Sequence, residues 1–239
     1  MIKIVIAMLV IALAPFCALA VDGQILINQS TVMAAGGFPY RITQTGSYKL
    51  SGNLTVPDAN TTAILVTQDN VTIDLNGFSI LGPTVCTGFP VTSCSPTSTN
   101  FNAGIGVDGQ NNRHITVVNG SVRGMGSQGI SLGPGGYVEK VHVESNGYVG
   151  IAFNVPNGIG VPTGGGTATG NVVMGNGTFG LSTQGPGVSM IGNIVMGNKS
   201  IGISVFCPST LIGNTAVSNG STNLSPIGSS CTLANNTAP

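Results

Sequence analysis

A phrase recurs down the second half of the chain: Gly followed by Ile or Leu, a short apolar run, a turn, then two asparagines five residues apart. It appears at Gly150-Ile151 with Asn171 and Asn176, at Gly180-Leu181 with Asn193 and Asn198, and at Gly202-Ile203 with Asn214 and Asn219. Equivalent asparagines fall 22 and then 21 residues apart. A unit of that length is too small to hold a core of its own and buries its apolar side chains only by stacking on its neighbours. The repeat therefore dictates a solenoid.

The units are built from strands. No window sustains a 3.6-residue apolar period, and Gly or Pro interrupts almost every ten residues, which excludes long helices. With 37 Gly and only 6% charged residues the composition approaches low complexity. Yet 41% of the chain is hydrophobic, and Val and Ile fall in short runs bounded by Gly and Asn, unlike the charged, apolar-poor sequences of disordered chains. One strand type covers Val71 to Leu75, Ile115 to Val118, Val141 to Glu144, Val172 to Met174, Ile194 to Met196 and Thr215 to Val217. A second covers Ile64 to Val66, Ile105 to Val107, Ile130 to Leu132, Ile151 to Phe153, Leu181 to Thr183 and Ile203 to Val205. Each coil is expected to contribute one of each.

Stacked as parallel rungs about 4.8 Å apart, these strands place Ile73, Leu75, Ile115, Val117, Val141, Val143, Val173, Val195 and Ala216 inside, with Ile105, Val107, Ile130, Leu132, Ile151, Phe153, Ile203 and Val205. Asn suits the corners because it tolerates left-handed backbone and its amides can hydrogen-bond from coil to coil, and Gly beside it serves the same turn.

The phrases GSYKLSGNLTV at 46–56, DNVTIDLNGFSILG at 69–82 and ITVVNGSVRG at 115–124, with the later GN repeats, resemble right-handed parallel β-helix repeat proteins of the pectin-lyase-like group over residues 38–222. The resemblance implies an all-β, right-handed parallel β-helix of about eight coils. It is nearly silent on activity, because that fold carries lyases, hydrolases, epimerases, binding proteins and adhesins.

At the N-terminus, Lys3, an apolar run, Pro15 and Ala18-Leu19-Ala20 read as a secretory signal peptide over residues 1–20. Residues 21–239 then form one domain, with a cap at 22–50, loop insertions at 83–102 and 155–167, and a tail at 222–239. Its six basic and seven acidic residues steer it toward neither nucleic acid nor anionic lipid, and no later segment resembles a membrane span. Export makes the location periplasmic or extracellular. Oligomeric state is left open.

Four cysteines remain after export, and disulfides are expected in an oxidising compartment. Cys207 lies four residues after Ile203 and Cys231 four after Ile227, about one coil apart. Equivalent positions in neighbouring coils lie within disulfide range, which favours Cys207 with Cys231 and leaves Cys86 with Cys94. No CxxC or His cluster suggests a metal site. Met174 and Met196 share a coil position, which reads as packing.

Chemistry has few places to sit. Asp108, Arg113, His114, Arg123, Glu139, Lys140, His142 and Glu144 fall within 37 residues. Alternation points Asp74, His114, Thr116, Lys140, His142 and Glu144 outward on three adjacent coils, as one polar patch. If the protein is an enzyme, β-elimination on a uronic acid polymer needs a cation for the carboxylate and a base for the C5 proton. Arg113 or Arg123 could supply the first and His114, His142 or Lys140 the second. Solvated strand positions explain the same residues, and Arg113 falls in register with Glu139 as a surface ion pair. Asp108, Arg123, Tyr137 and Tyr148 are binding candidates, the tyrosines with Phe153 as a sugar-stacking platform. No cofactor is implied, calcium entering only if the protein is a lyase. The expected role is a binding or structural protein offering a face to polysaccharide or envelope glycan. The alternatives are a polysaccharide lyase or related carbohydrate-active enzyme and a plain scaffold.

Overall fold

A computed structural model describes residues 23–100, 102–107, 112–154 and 165–239. The chain winds as parallel rungs on three faces. The first face stacks Gln24–Ile27, Gly46–Leu50, Val71–Asp74, the starts of Ile115–Arg123 and Gly136–Glu144, then Gly166–Thr169, Val188–Ile191, Thr210–Ile212 and Thr232–Ala234. The second stacks Leu54–Thr55, Ser79–Leu81, the ends of the same two long strands, then Val172–Met174, Ile194–Met196 and Thr215–Val217. The third is a sheet of 8 strands, one per coil, from Tyr40–Ile42 to Thr222–Ile227.

Three strands per coil replace the two read from the sequence. Val117 stacks on Ile73 and Val138, whereas Val141 stacks on Gly120, so Ile115 to Val118 and Val141 to Glu144 lie on different faces. The corner between those faces is a single left-handed residue, Asn119 or Lys140, within one continuous strand. Later rungs of the first face, such as Gly166–Thr169, carry too little apolar signal to read as strands.

Alternation along each rung sends every second side chain to the axis. The expected inward residues are buried: Ile73, Leu75, Ile115, Val117, Val143, Val173 and Val195 are fully enclosed, and Ala216, Val141 and Phe153 nearly so. The side chain of Val107 lies outside the described residues.

The corners work differently from expectation. Left-handed backbone falls on the residue before each ladder asparagine, at Gly170, Gly192 and Gly213 on one corner and Gly175 and Gly197 on the next. The asparagines point inward and are buried, except the last of each ladder, Asn219 and Asn236, which are half-buried. Asn171, Asn193, Asn214 and Asn236 form one ladder, each side-chain oxygen accepting the backbone N–H and the amide of the asparagine before it at 2.9–3.1 Å. Asn146, Asn176, Asn198 and Asn219 form a second. The coil-to-coil amide bonding is as the residues suggested.

At the N-terminal end the helix Gln29–Ala34 replaces a rung. Asn28 caps it, accepting from the Thr31 N–H while the Thr31 hydroxyl accepts from the Asn28 N–H, and Val32 is buried against the core. Both disulfides form as paired above. The register behind the second differs, however. Ile227 stacks on Phe206 rather than Ile203, and Cys207 and Cys231 meet across the corner between the third and first faces, with Cα atoms 4.9 Å apart.

Candidate functional site

The charged cluster of the sequence does not converge. Its 37 residues exceed one coil, so they wind around the axis rather than gather on one side. Arg113 and His114 sit exposed at the corner before the first face, His114 held at φ 57° in a column with Asn70 and Gly135. Tyr137 lies on the first face, its hydroxyl donating to Glu139 at 3.1 Å. Lys140 turns the next corner and pairs with Glu139 at 3.1 Å, replacing the expected Arg113 partner. That pairing holds the Glu139 carboxyl below its ordinary range, and burial with the hydrogen bond to Glu139 raises the Tyr137 phenol. Asp74 is bound into the first face, 3.7 Å from Lys49 and accepting from the Asn76 N–H at 2.8 Å. Asp108 lies outside the described residues.

On the second face the structure does bring three of these residues together. His142 Nε2 lies 3.4 Å from one Glu144 oxygen and Arg123 lies 3.7 Å from the other. Arg123 and Glu144 border a shallow hollow of about 330 Å³ beneath residues 82–85. Among the described residues no three His, Cys, Asp or Glu side chains converge as a metal site would need.

The larger opening lies around the next corner, between the second and third faces, where the 83–102 insertion leaves the solenoid. The insertion forms an antiparallel hairpin, Val85–Thr87 against Ser93–Ser95, with Cys86 opposite Cys94. It folds down along the coils: the Val91 N–H donates to the Gly197 carbonyl at 2.8 Å and the Ser98 N–H to Gly126 at 2.8 Å. A Cβ at Gly197 would run into the Phe89 ring, so the glycine lets that ring lie against the corner. Between the hairpin and the corner runs an open groove of about 460 Å³, lined by Thr97, Ser98, Thr99, Ser127, Tyr148, Thr178 and Lys199.

Backbone bonds from rung to rung hold the floor: Tyr148 to Ser127, Thr178 to Tyr148, Ser200 to Thr178 and Ser221 to Ser200, all at 2.7–2.9 Å. Tyr148 is 38% exposed and meets Phe179 edge to face at 6.2 Å between centroids. Phe153, expected beside it, is an inward core residue, and Tyr137 is on another face. The three-aromatic platform therefore does not form.

Sequence reasoning missed Lys199, Thr178 and Ser127, although a signal was present. The corner tripeptide reads Asn176-Gly177-Thr178 and Asn219-Gly220-Ser221, with departures at Asn146-Gly147-Tyr148 and Asn198-Lys199-Ser200. Glycine suits the middle position, because a Cβ at Gly147, Gly177 or Gly220 would strike the carbonyl of the coil before. Lys199 stands in that glycine column, and Tyr148 stands where Ser or Thr would otherwise be. Both departures line the groove.

No protein-family model matches the chain, and no curated protein is similar to it in sequence. In structure it is similar to the Dettilon tailspike protein, at 14% identity and a TM-score of 0.52, over 86% of this chain and 44% of that one. It is similar also to a point mutant of the periplasmic alginate epimerase AlgG, at 15% identity and a TM-score of 0.54, over 90% of this chain and 54% of that one. The chain thus spans about half the length of these structures. At such identities the likeness is one of fold alone, and the fold is the right-handed parallel β-helix that the repeat phrases resemble in the pectin-lyase-like group.

Proposed function

We propose that the protein is an exported, noncatalytic glycan-binding β-helix that seats a saccharide chain in the groove beside the disulfide hairpin. One observation carries the reading: the two departures from the Asn-Gly-Ser/Thr corner, an aromatic ring and a cation, both face the same groove. A half-exposed tyrosine offers an apolar face with a polar tip, the surrounding hydroxyls match sugar hydroxyls, and Lys199 is a point charge for a carboxylate. The lining contains no carboxylate or imidazole, the groups that general acid–base chemistry on a sugar most often uses. Two disulfides fit an oxidising, extracytoplasmic compartment. No described helix is long and apolar enough to cross a membrane. That one neighbour of this fold acts on alginate supports a carbohydrate ligand.

The test is calorimetric titration with alginate, pectate and neutral glucan oligosaccharides. Tyr148→Ala should weaken binding about tenfold, as loss of an aromatic anchor does. Lys199→Gly restores the column's usual residue and should remove any preference for uronate chains while leaving the fold intact. No binding at millimolar saccharide, or unchanged binding by both variants, overturns the proposal.

A second reading rests on the contacts of Glu144 with His142 and Arg123. An imidazole oriented by a carboxylate beside a guanidinium has the parts of a base and a carboxylate clamp for β-elimination. Unsaturated ends absorbing in the near ultraviolet, formed from pectate or alginate and lost in His142→Ala, would favour it over simple binding.

A further inference from the structure

The hairpin that walls the groove has little of its own to hold it closed. Its strands are three residues each, and among residues 85–97 Val91 alone is buried, with the two cysteines half-buried and every other residue exposed. An isolated two-stranded hairpin is marginal in water. Its base is anchored where the chain leaves and rejoins the coils: the Thr84 N–H donates to the Gly124 carbonyl and the Ser98 N–H to that of Gly126, both at 2.8 Å. Its tip reaches the coil of Gly197 through the Val91 N–H and the Phe89 ring, three rungs or about 14 Å further along the axis. Between base and tip the Cys86–Cys94 bridge is seated on the glycine corner. Cys86 Sγ lies 3.7 Å from the Asn146 carbonyl, and a Cβ at Gly177 would lie 3.1 Å from Cys94 Sγ. Cys94 also lines the groove.

The other bridge is supported differently. The rungs on both sides of it are paired, Ile201–Phe206 on Thr222–Ile227 and Thr210–Ile212 on Thr232–Ala234, and Cys231 packs against the core. The coils therefore hold Cys207 beside Cys231 whether or not the sulfurs are bonded. Among the described residues, Cys86 and Cys94 are brought together by the short hairpin ladder alone.

We propose that the Cys86–Cys94 bridge is a thiol-sensitive latch on the groove, opened by a dithiol reductant of the exported compartment. A thiolate of the reductant attacks Cys94 Sγ from the groove side, the Sγ–Sγ bond breaks, and Cys86 departs as a thiolate that takes up the proton the reductant lost. The second thiol of the reductant then displaces Cys94, which leaves with the second proton, so the chain gains two thiols and the reductant one disulfide. Exchange requires the attacking thiolate to reach a sulfur, which favours the bridge at the groove. After reduction only the tip contacts of Val91 and Phe89 oppose the conformational entropy of the released segment, and the tip lifts from Gly197. The wall carrying Thr97, Ser98 and Thr99 loses its support and the groove opens. The latch stands on the geometry of the hairpin, and its effect on a ligand rests on the saccharide reading above.

Mild dithiothreitol followed by iodoacetamide and mass mapping should label Cys86 and Cys94 before Cys207 and Cys231. In the reduced chain the Val91 amide should exchange about 5- to 30-fold faster, the effect of losing one tie in a marginal unit, while the Asn193 amide, bonded to the Asn214 side chain, keeps its rate. The double variant Cys86→Ser with Cys94→Ser should show the fast Val91 exchange without reductant and no further change with it. An oligosaccharide that binds the oxidised chain should bind the reduced one about tenfold more weakly, as when one chain in ten holds the competent groove. Labelling of Cys207 and Cys231 first, or a Val91 amide unmoved by reduction, overturns the latch. Unchanged saccharide affinity on reduction overturns its control of the groove. An oxidised chain that binds no saccharide sinks the saccharide reading instead, and the Val91 amide still decides the latch.

Discussion

Replacing Asn193 by Ala tests whether the buried amide ladders hold the coils together. The Asn193 side chain is fully buried; its oxygen accepts from the N–H and amide of Asn171 at 3.1 and 3.0 Å, and its amide donates to the Ala168 carbonyl at 2.8 Å and to Asn214 at 2.9 Å. Alanine leaves the Asn171 N–H buried with no acceptor, a loss of about 1–3 kcal/mol. The amides of Asn171 and Asn214 keep other partners, so their partial loss and the small cavity add a further ~1–2 kcal/mol. The variant should lose about 2–5 kcal/mol in all, a large share of the 5–15 kcal/mol typical of a domain. Asn236→Ala removes the same chemistry from the half-buried end of the ladder, where water replaces the lost acceptor, and should lose under about 1.5 kcal/mol. Urea unfolding followed by circular dichroism, with slopes compared to confirm that the same surface is exposed, measures both. If Asn193→Ala loses less than about 1 kcal/mol, or the two variants match, the ladder is not the staple described here.

Two further outcomes follow from the ends and the surface. The Cys207–Cys231 bridge closes a loop with a sequence separation of 24, worth about 3.5 kcal/mol on the chain-entropy account; replacing both by Ser should speed hydrogen exchange over Thr222–Ala234 first, and uniform exchange along the solenoid would contradict the assignment. The Glu139 carboxyl, held low by Lys140 and then by Tyr137, should titrate below an ordinary glutamate by NMR. A folded-state pKa below the unfolded value means that the contact helps above the unfolded pKa and fades as pH falls through the folded one. Lys140→Ala should move the titration upward, and an unmoved curve would refute the cause given.

Much of the architecture is written in the repeat itself. The 21- and 22-residue spacing and the aliphatic columns are legible because alternation along a strand and stacking of equivalent positions are local rules, satisfied within one coil and its neighbour; Cys207 and Cys231 pair as expected, but across a corner and not at equivalent positions. Where each strand points around the axis is not local. It depends on corners one residue wide, such as Asn119 and Lys140, that turn the chain without interrupting the strand. Hence the polar residues from Arg113 to Glu144, close in sequence, are spread over two corners and two faces and meet in separate small groups, Glu139 with Lys140 and Tyr137, and Glu144 with His142 and Arg123. The groove was hidden for the opposite reason. Tyr148, Lys199 and Ser98 lie far apart along the chain, and only the docking of the Cys86–Cys94 hairpin onto the glycine corners brings them to one opening.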